Sequence, residues 1–310
     1  MDAPRSLVIV ADDFGIGPAT SRGILRLADQ GKLSAAVLLV NSPHAEEAVR
    51  DWRRAGGPRC VELGWHACLT LDRPVLPPSR VPSLVRADGR FVSLPRLFAR
   101  LAAGRVRWDD LYAELGAQYA RFVDLAGQPP ALVNGHHHVH VLPRIGRVLM
   151  DVIARQRPLP YVRRVRETLP LLLGIPRSRF KRGVLATLGL LCAGRQQRGG
   201  FPGNDYLVGV SDPRGLVRRR RGKEENLLVR WLTQVPGRVV EYVCHPGYRD
   251  DTLPGRDVPS RRHEAALAAR VREMELVERT DFGEVCRAAG FRLVSPSGLS
   301  AGATGGRLAA

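Results

Sequence analysis

Four of the chain's eight histidines fall in the segment Asn134-Gly135-His136-His137-His138-Val139-His140, directly after the apolar run Ala131-Leu132-Val133. Imidazole is the commonest metal-ligating side chain near neutral pH, and two or three imidazoles with a carboxylate make an open catalytic site rather than a closed structural one. If residues 131–133 end a buried strand that continues into the cluster, alternation points His136, His138 and His140 one way and His137 the other. Gly135 allows the backbone to turn there or to approach a ligand closely. The competing reading is a histidine-rich surface loop without an ion, since an expression tag does not sit in mid-chain.

Carboxylates and further histidines stand at comparable places. Leu7-Val8-Ile9-Val10-Ala11 is an apolar burst of strand type, followed at once by Asp12-Asp13-Phe14-Gly15. Adjacent aspartates at a strand end face different ways, so one can bind an ion while the other holds a proton. Either could instead cap the next helix. Val61-Glu62-Leu63-Gly64-Trp65-His66 and Val239-Val240-Glu241-Tyr242-Val243-Cys244-His245 are two more strand-like runs that end in histidine.

Strands that deliver such residues must be held by something, and the rest of the chain supplies it. Pro18 to Gly31 carries helical spacing, Ser34 to Val40 is strand-like, and Ala45 to Ala55 reads as a helix before the strand that ends at His66. Leu71 to Leu97, rich in Pro and Gly, is a long excursion of the kind that is usually functional or mobile in a compact domain. Helices are expected over Trp108 to Leu125, Ile145 to Arg155 and Ser260 to Glu278, and around Leu227 to Leu232. Short strands are expected at Tyr161 to Val165 and Phe291 to Val294. Alternating strand and helix implies parallel strands wrapped by helices, an α/β barrel over residues 1–295, with 296–310 as a flexible tail. In such barrels chemistry collects at the C-terminal ends of the strands, where every candidate residue stands.

Composition narrows the classes. A chain of 310 residues with 44% hydrophobic content can bury a large core in one α/β barrel. The first residues lack the apolar core of a signal peptide, and no run approaches a membrane span. Five cysteines without paired spacing argue against a disulfide framework and fit the reducing cytoplasm. The net charge of +18 comes almost entirely from arginine, with lysine only at Lys32, Lys181 and Lys223. Arginines spread along the chain, apart from Arg218 to Arg221, read as compositional bias and not as a nucleic-acid surface; neither an aromatic platform nor zinc-finger spacing accompanies them.

Taken in order, the motifs resemble the YdjC family of carbohydrate deacetylases, which includes chito-oligosaccharide and hopanoid-associated members. The resemblance rests on Asp12 to Gly15, Gly64-Trp65-His66 with Leu69 and Arg73-Pro74-Val75, Asn134 to His140, and His245 to Tyr248, with Asn204-Asp205-Tyr206 through Gly209 as a further matching segment. It implies an irregular (β/α) barrel similar to polysaccharide deacetylases, and one divalent metal ion, Mg2+ or Zn2+, held by Asp13, His66 and His136. It also implies Asp12 as general base, His245 as general acid, and His138, His140, Asn134, Arg73, Asp205 and Tyr248 as residues that orient ligands or bind substrate. His137 stands at the family's variable position.

The implied activity is that of a metal-dependent hydrolase that removes the acetyl group from an N-acetylated sugar or glycoconjugate; oligomeric state stays open, with a homodimer as the state the resemblance favours. Two departures are visible: Asn134 replaces the family's usual Asp, which removes a carboxylate behind the ligands, and Trp65 stands where a smaller residue is common, next to the expected cleft. Another metallohydrolase on the same barrel is the alternative. A basic protein that binds nucleic acid or anionic lipid, with a non-catalytic metal, is a third reading.

Overall fold

The apolar run after Arg5 forms β1 (Arg5–Phe14), buried from Ser6 onward, in a computed structural model that describes residues 5–57, 61–168, 179–209, 224–256 and 263–302. There follow α1 (Pro18–Asp29), β2 (Ala35–Leu38), α2 (Ala45–Arg54), β3 (Glu62–Ala67), a 3-10 turn at Pro78–Arg80, α3 (Leu94–Ala102) and α4 (Trp108–Ala126). The chain continues with β4 (Leu132–Gly135), a second 3-10 segment at His136–Val141, α5 (Pro143–Ile153), β5 (Tyr161–Val162), α6 (Arg179–Arg198), β6 (Tyr206–Val208) and α7 (Glu224–Gln234). It ends with β7 (Val239–Cys244), α8 (His263–Arg279), α9 (Phe282–Ala289), β8 (Phe291–Leu293) and α10 (Pro296–Gly302). The arginine run 218–221 lies outside the described residues.

All strand pairs are parallel, in the order β5-β4-β3-β2-β1-β7-β6, with β8 paired to the first residues of β1. Strands covered on both faces read as continuous apolar runs, as β1 does. Its odd-numbered residues Leu7, Ile9 and Ala11 pack outward with helix residues such as Ile24, Leu27 and Val277. The even-numbered Val8 and Val10 pack inward with Ala35, Val37, Leu132 and Tyr161. Between β5 and β6 the sheet is bridged irregularly: the Val162 N–H donates to the Pro202 carbonyl at 2.8 Å and the Leu207 N–H to that of Arg166 at 2.7 Å. The Asn204 side chain joins the same seam, accepting from the Arg164 N–H at 2.8 Å and donating to the Arg164 carbonyl at 2.7 Å. The result is the expected irregular barrel of parallel strands wrapped by helices.

Local sequence sets the helix ends. Pro18 and Pro143 occupy first turns, where the missing N–H costs nothing. Asp281 caps α9 by accepting from the Glu284 N–H at 3.0 Å, and Gly127, at φ 75°, ends α4 in the left-handed conformation that glycine tolerates best.

Three expectations change. The start of the expected tail, Pro296–Gly302, is helix α10, and Ser297 Oγ and its backbone N–H both engage Glu62. The excursion after Leu71 is tethered and not loose: Glu114 on α4 accepts from the Val75 and Leu76 N–H groups, Asp110 from Ser83, and Arg256 pairs with Asp72. Its last residues are the first turn of α3. Trp65 points outward and is fully buried against Tyr119, with ring centroids 5.9 Å apart, so it does not shape the cleft.

Gly64 faces inward, where an added methyl would meet the Leu132 carbonyl oxygen at 2.6 Å and a Val37 methyl at 2.8 Å. Gly64→Ala should therefore lower stability by about 1–3 kcal/mol through overpacking, read as an earlier denaturant midpoint with an unchanged slope.

Candidate active site

Period-two alternation keeps each strand's inward column on one face, and the column ends in polar residues at the C-terminal end. In β1 it runs Val8, Val10, Asp12; in β3, Gly64, His66; in β4, Leu132, Asn134 and then His136. Beyond β5 it runs Tyr161, Arg163, and through β7 Glu241, Val243, His245. Five stretches far apart in sequence thus place polar side chains at one mouth of the barrel.

Asp13 leaves this pattern. Its φ of 67° lies in the left-handed region, rare for residues other than glycine but comparatively accessible to aspartate. The turn separates the two carboxylates: Asp12 stays in the barrel interior, while Asp13 Oδ1 lies 2.9 Å from His136 Nδ1 and 3.3 Å from His66 Nε2. Ligand atoms of these three buried residues all lie within 4.8 Å of one another. Two imidazoles and one carboxylate in this cluster suit a divalent cation and leave further coordination positions open.

Asn134 links this cluster to Asp12. Its Nδ2 donates to Asp12 Oδ1 at 3.1 Å, which turns its Oδ1 to His66 Nδ1 at 2.5 Å. His66 therefore carries its proton on Nδ1 and presents the Nε2 lone pair towards Asp13, as a metal-ligating histidine needs. The amide does two jobs at once, accepting from one partner and donating to the other. A carboxylate here would instead face the carboxylate of Asp12.

Asp12 is also gripped by Arg163, whose Nη1 and Nη2 donate to its two oxygens at 2.6 and 2.8 Å. Burial alone would push the Asp12 carboxyl up; the Arg163 guanidinium, with His66 behind it, holds it well below the usual carboxylate range. Arg163 Nε donates to Glu241 Oε1 at 2.5 Å, and the Tyr161 hydroxyl donates to the other Glu241 oxygen at 3.0 Å. His245 approaches the same Asp12 oxygen as Arg163 Nη1, with Nε2 3.8 Å from Asp12 Oδ2 and Nδ1 3.8 Å from Glu273 Oε2. Its backbone N–H donates to Glu273 as well. The His245 ring is 38% exposed against 2% for Asp12, so it is the member of the set that meets solvent.

The histidine cluster is not the strand extension expected from its sequence. His137 (φ 53°) and His138 (φ 56°) are both left-handed, which curls the chain into the 3-10 segment and ends the face-to-face alternation at His136. The His137 ring lies against that of His136, with centroids 4.1 Å apart and planes tilted by 41°, and pairs through Nδ1 with Thr70 Oγ1 at 2.9 Å. The rings of His138 and His140 lie 6.0 Å apart. Burial, reinforced by Arg163, keeps both neutral, with His140 pushed down to about 3.

Of the remaining expected contacts, Asp205 lies away from this mouth. It precedes β6 at the N-terminal end of the sheet and accepts from the Arg238 and Val239 N–H groups at 2.7 and 3.0 Å. Arg73 is exposed and lies against Gly89 of the excursion, and the Tyr248 hydroxyl engages Arg26 of α1. Sequence reasoning missed Arg163, Glu241, Arg270 and Glu273. Glu241 was signalled by a carboxylate inside the apolar run of β7, whereas Arg163 had nothing to mark it among so many arginines.

Residues 6–288 match the family described as YdjC-like protein. The chain is 30% identical over 249 residues to a chitooligosaccharide deacetylase of Serratia marcescens, covering 80% of this chain and 84% of that one. It is 38% identical over 155 residues to a carbohydrate deacetylase of Mus musculus, covering 49% of each. A crystal structure from Enterococcus faecalis V583, described as a candidate for cellobiose-phosphate cleavage, shares the fold with a TM-score of 0.69 at 23% identity, over 96% of this chain and 99% of that one.

His66→Ala and His136→Ala should each abolish retention of a divalent ion, measured by elemental analysis after desalting; full occupancy in both would refute the ligand assignment. Arg163→Met leaves Asp12 and Glu241 buried without their cation and should cost about 3–5 kcal/mol near neutral pH. Because Asp12 is depressed in the folded state, the pair stabilises above the unfolded carboxylate pKa and its contribution is lost as pH falls. The stability gap between parent and variant should therefore narrow in acid, and a gap that widens there would contradict the pairing.

Proposed function

Since the chain belongs to the YdjC-like protein family, we propose that it is a metal-dependent hydrolase that removes the acetyl group from an N-acetylated amino sugar, of the N-acetylglucosamine oligosaccharide or glycoconjugate class, and releases acetate. The observation that carries this reading is the convergence of Asp13, His66 and His136 beside a second, separately held carboxylate and an accessible imidazole. The names of the Serratia and mouse relatives supply the substrate class.

An acetamide is a poor electrophile, and its amine leaves badly until protonated. A divalent ion held by the triad supplies a Lewis acid for the acyl oxygen and a more acidic water near neutral pH. The donor set of two imidazoles and one carboxylate favours zinc over magnesium. Asp12, ionised and fixed from two sides by Arg163 and Asn134, takes the proton of the attacking water. Its ring of donors leaves it one orientation, so the proton acceptor is in place before substrate arrives. His245, on the open side and backed by Glu273, delivers a proton to the departing sugar nitrogen, a contribution of about 10² to 10⁴ in rate.

Among the described residues no helix is long and apolar enough to cross a membrane, and the four described cysteines are free and buried. These features suit a cytoplasmic enzyme, and the family reading adds a homodimer.

Asp12→Asn should leave metal content near that of the parent while turnover falls by at least about a hundredfold, followed as acetate released from N-acetylated mono- and oligosaccharides and an N-acetylglucosaminyl lipid. Equal loss of metal and turnover would make Asp12 a ligand and not the base.

A further inference from the structure

The two oxygens of Asp13 face opposite partners. Oδ1 is directed at the imidazoles of His66 and His136, whereas Oδ2 accepts from Arg270 Nη2 at 2.5 Å. Arg270 belongs to α8 and its side chain is 9% exposed, so bulk water and salt screen this pair little. Helix α8 is itself anchored at the mouth. The Arg270 carbonyl accepts from the Gly247 N–H at 3.3 Å, and Glu273, one turn on, accepts from the His245 N–H. The guanidinium is therefore held in place by its own helix as well as by its partner.

We propose that Arg270 is a positioning residue of the metal centre, limiting Asp13 to one ligand oxygen and moderating the affinity of the site for its cation. This rests on Asp13, His66 and His136 being the metal ligands. A carboxylate shared between a guanidinium and a divalent ion is a weaker donor to the ion, and the two cations repel across it. With Oδ2 occupied, Asp13 does not chelate through both oxygens, and coordination positions stay free for water and substrate. In the metal-free protein the same contact gives Asp13 a partner, which keeps the triad assembled. Removing the guanidinium raises the energy of the metal-free state and relieves repulsion in the loaded one. Both changes tighten binding.

The test measures zinc affinity of the full chain by competition with a chromophoric chelator, alongside the thermal midpoint with and without zinc. Arg270→Met should bind zinc at least about tenfold tighter than the parent, with a lower midpoint without metal and a larger rise on adding it. Arg270→Gln, neutral but able to hydrogen bond, carries the same expectation should the Met protein not fold. Arg270→Lys keeps the charge and should stay within about threefold of the parent. Equal or weaker zinc binding by the neutral variants overturns the proposal, as does a Lys variant that tightens as much as they do. His66→Ala separates the two layers. If it binds zinc like the parent, the triad assignment fails; if it loses zinc while the neutral Arg270 variants match the parent, only the role of Arg270 fails.

Discussion

A fully buried guanidinium between two carboxylates governs the mouth of this barrel. Arg163 lies between Asp12 and Glu241, with Tyr161 completing the second carboxylate's shell. Taking three charges out of water is expensive unless every donor and acceptor is matched, and a single missing partner turns the arrangement from tolerable to strongly destabilising. The strands that carry these groups must therefore keep their register to one another. A slip by one residue in β7 would exchange Glu241 for Val240 or Tyr242, neither of which carries a charge at neutral pH, and strand the guanidinium.

That constraint reaches the chemistry through Asn134. One amide joins Asp12 to His66, so the residue assigned to take a proton and a residue assigned to hold the cation are oriented by the same group. The division between Asp12 and Asp13 has an equally local origin. Asp12 follows the strand's alternation into the barrel, while the left-handed backbone at Asp13 swings the next carboxylate to the histidines. Two adjacent, chemically identical side chains thereby acquire different neighbours, one fixed by Arg163 and the other by Arg270.

Helix α8 is the least expected contributor. Its sequence reads as a long charged helix, yet Arg270 and Glu273, three residues apart on one face, meet the two halves of the site: the carboxylate that faces the imidazoles and the histidine open to solvent. The excursion after Leu71, of a kind that is functional or mobile, is pinned by Asp110 and Glu114 of α4.

The chain's own order of residues determined the strand-helix alternation and the strand ends near Asp12, His66 and His245, and the order of its motifs singled out Asp13, His66 and His136, which the fold brings together. Apolar periodicity is a local property, and a polar residue that ends an apolar run shows where a strand meets solvent. It did not determine where the histidine cluster bends, because left-handed turns at His137 and His138 depend on what packs around them. Nor did it mark Arg163 or Arg270 among dozens of arginines. Their partners lie 151 and 257 residues away along the chain, and a charge becomes a buried ion pair only when strand register and helix docking exclude water from both ends of it.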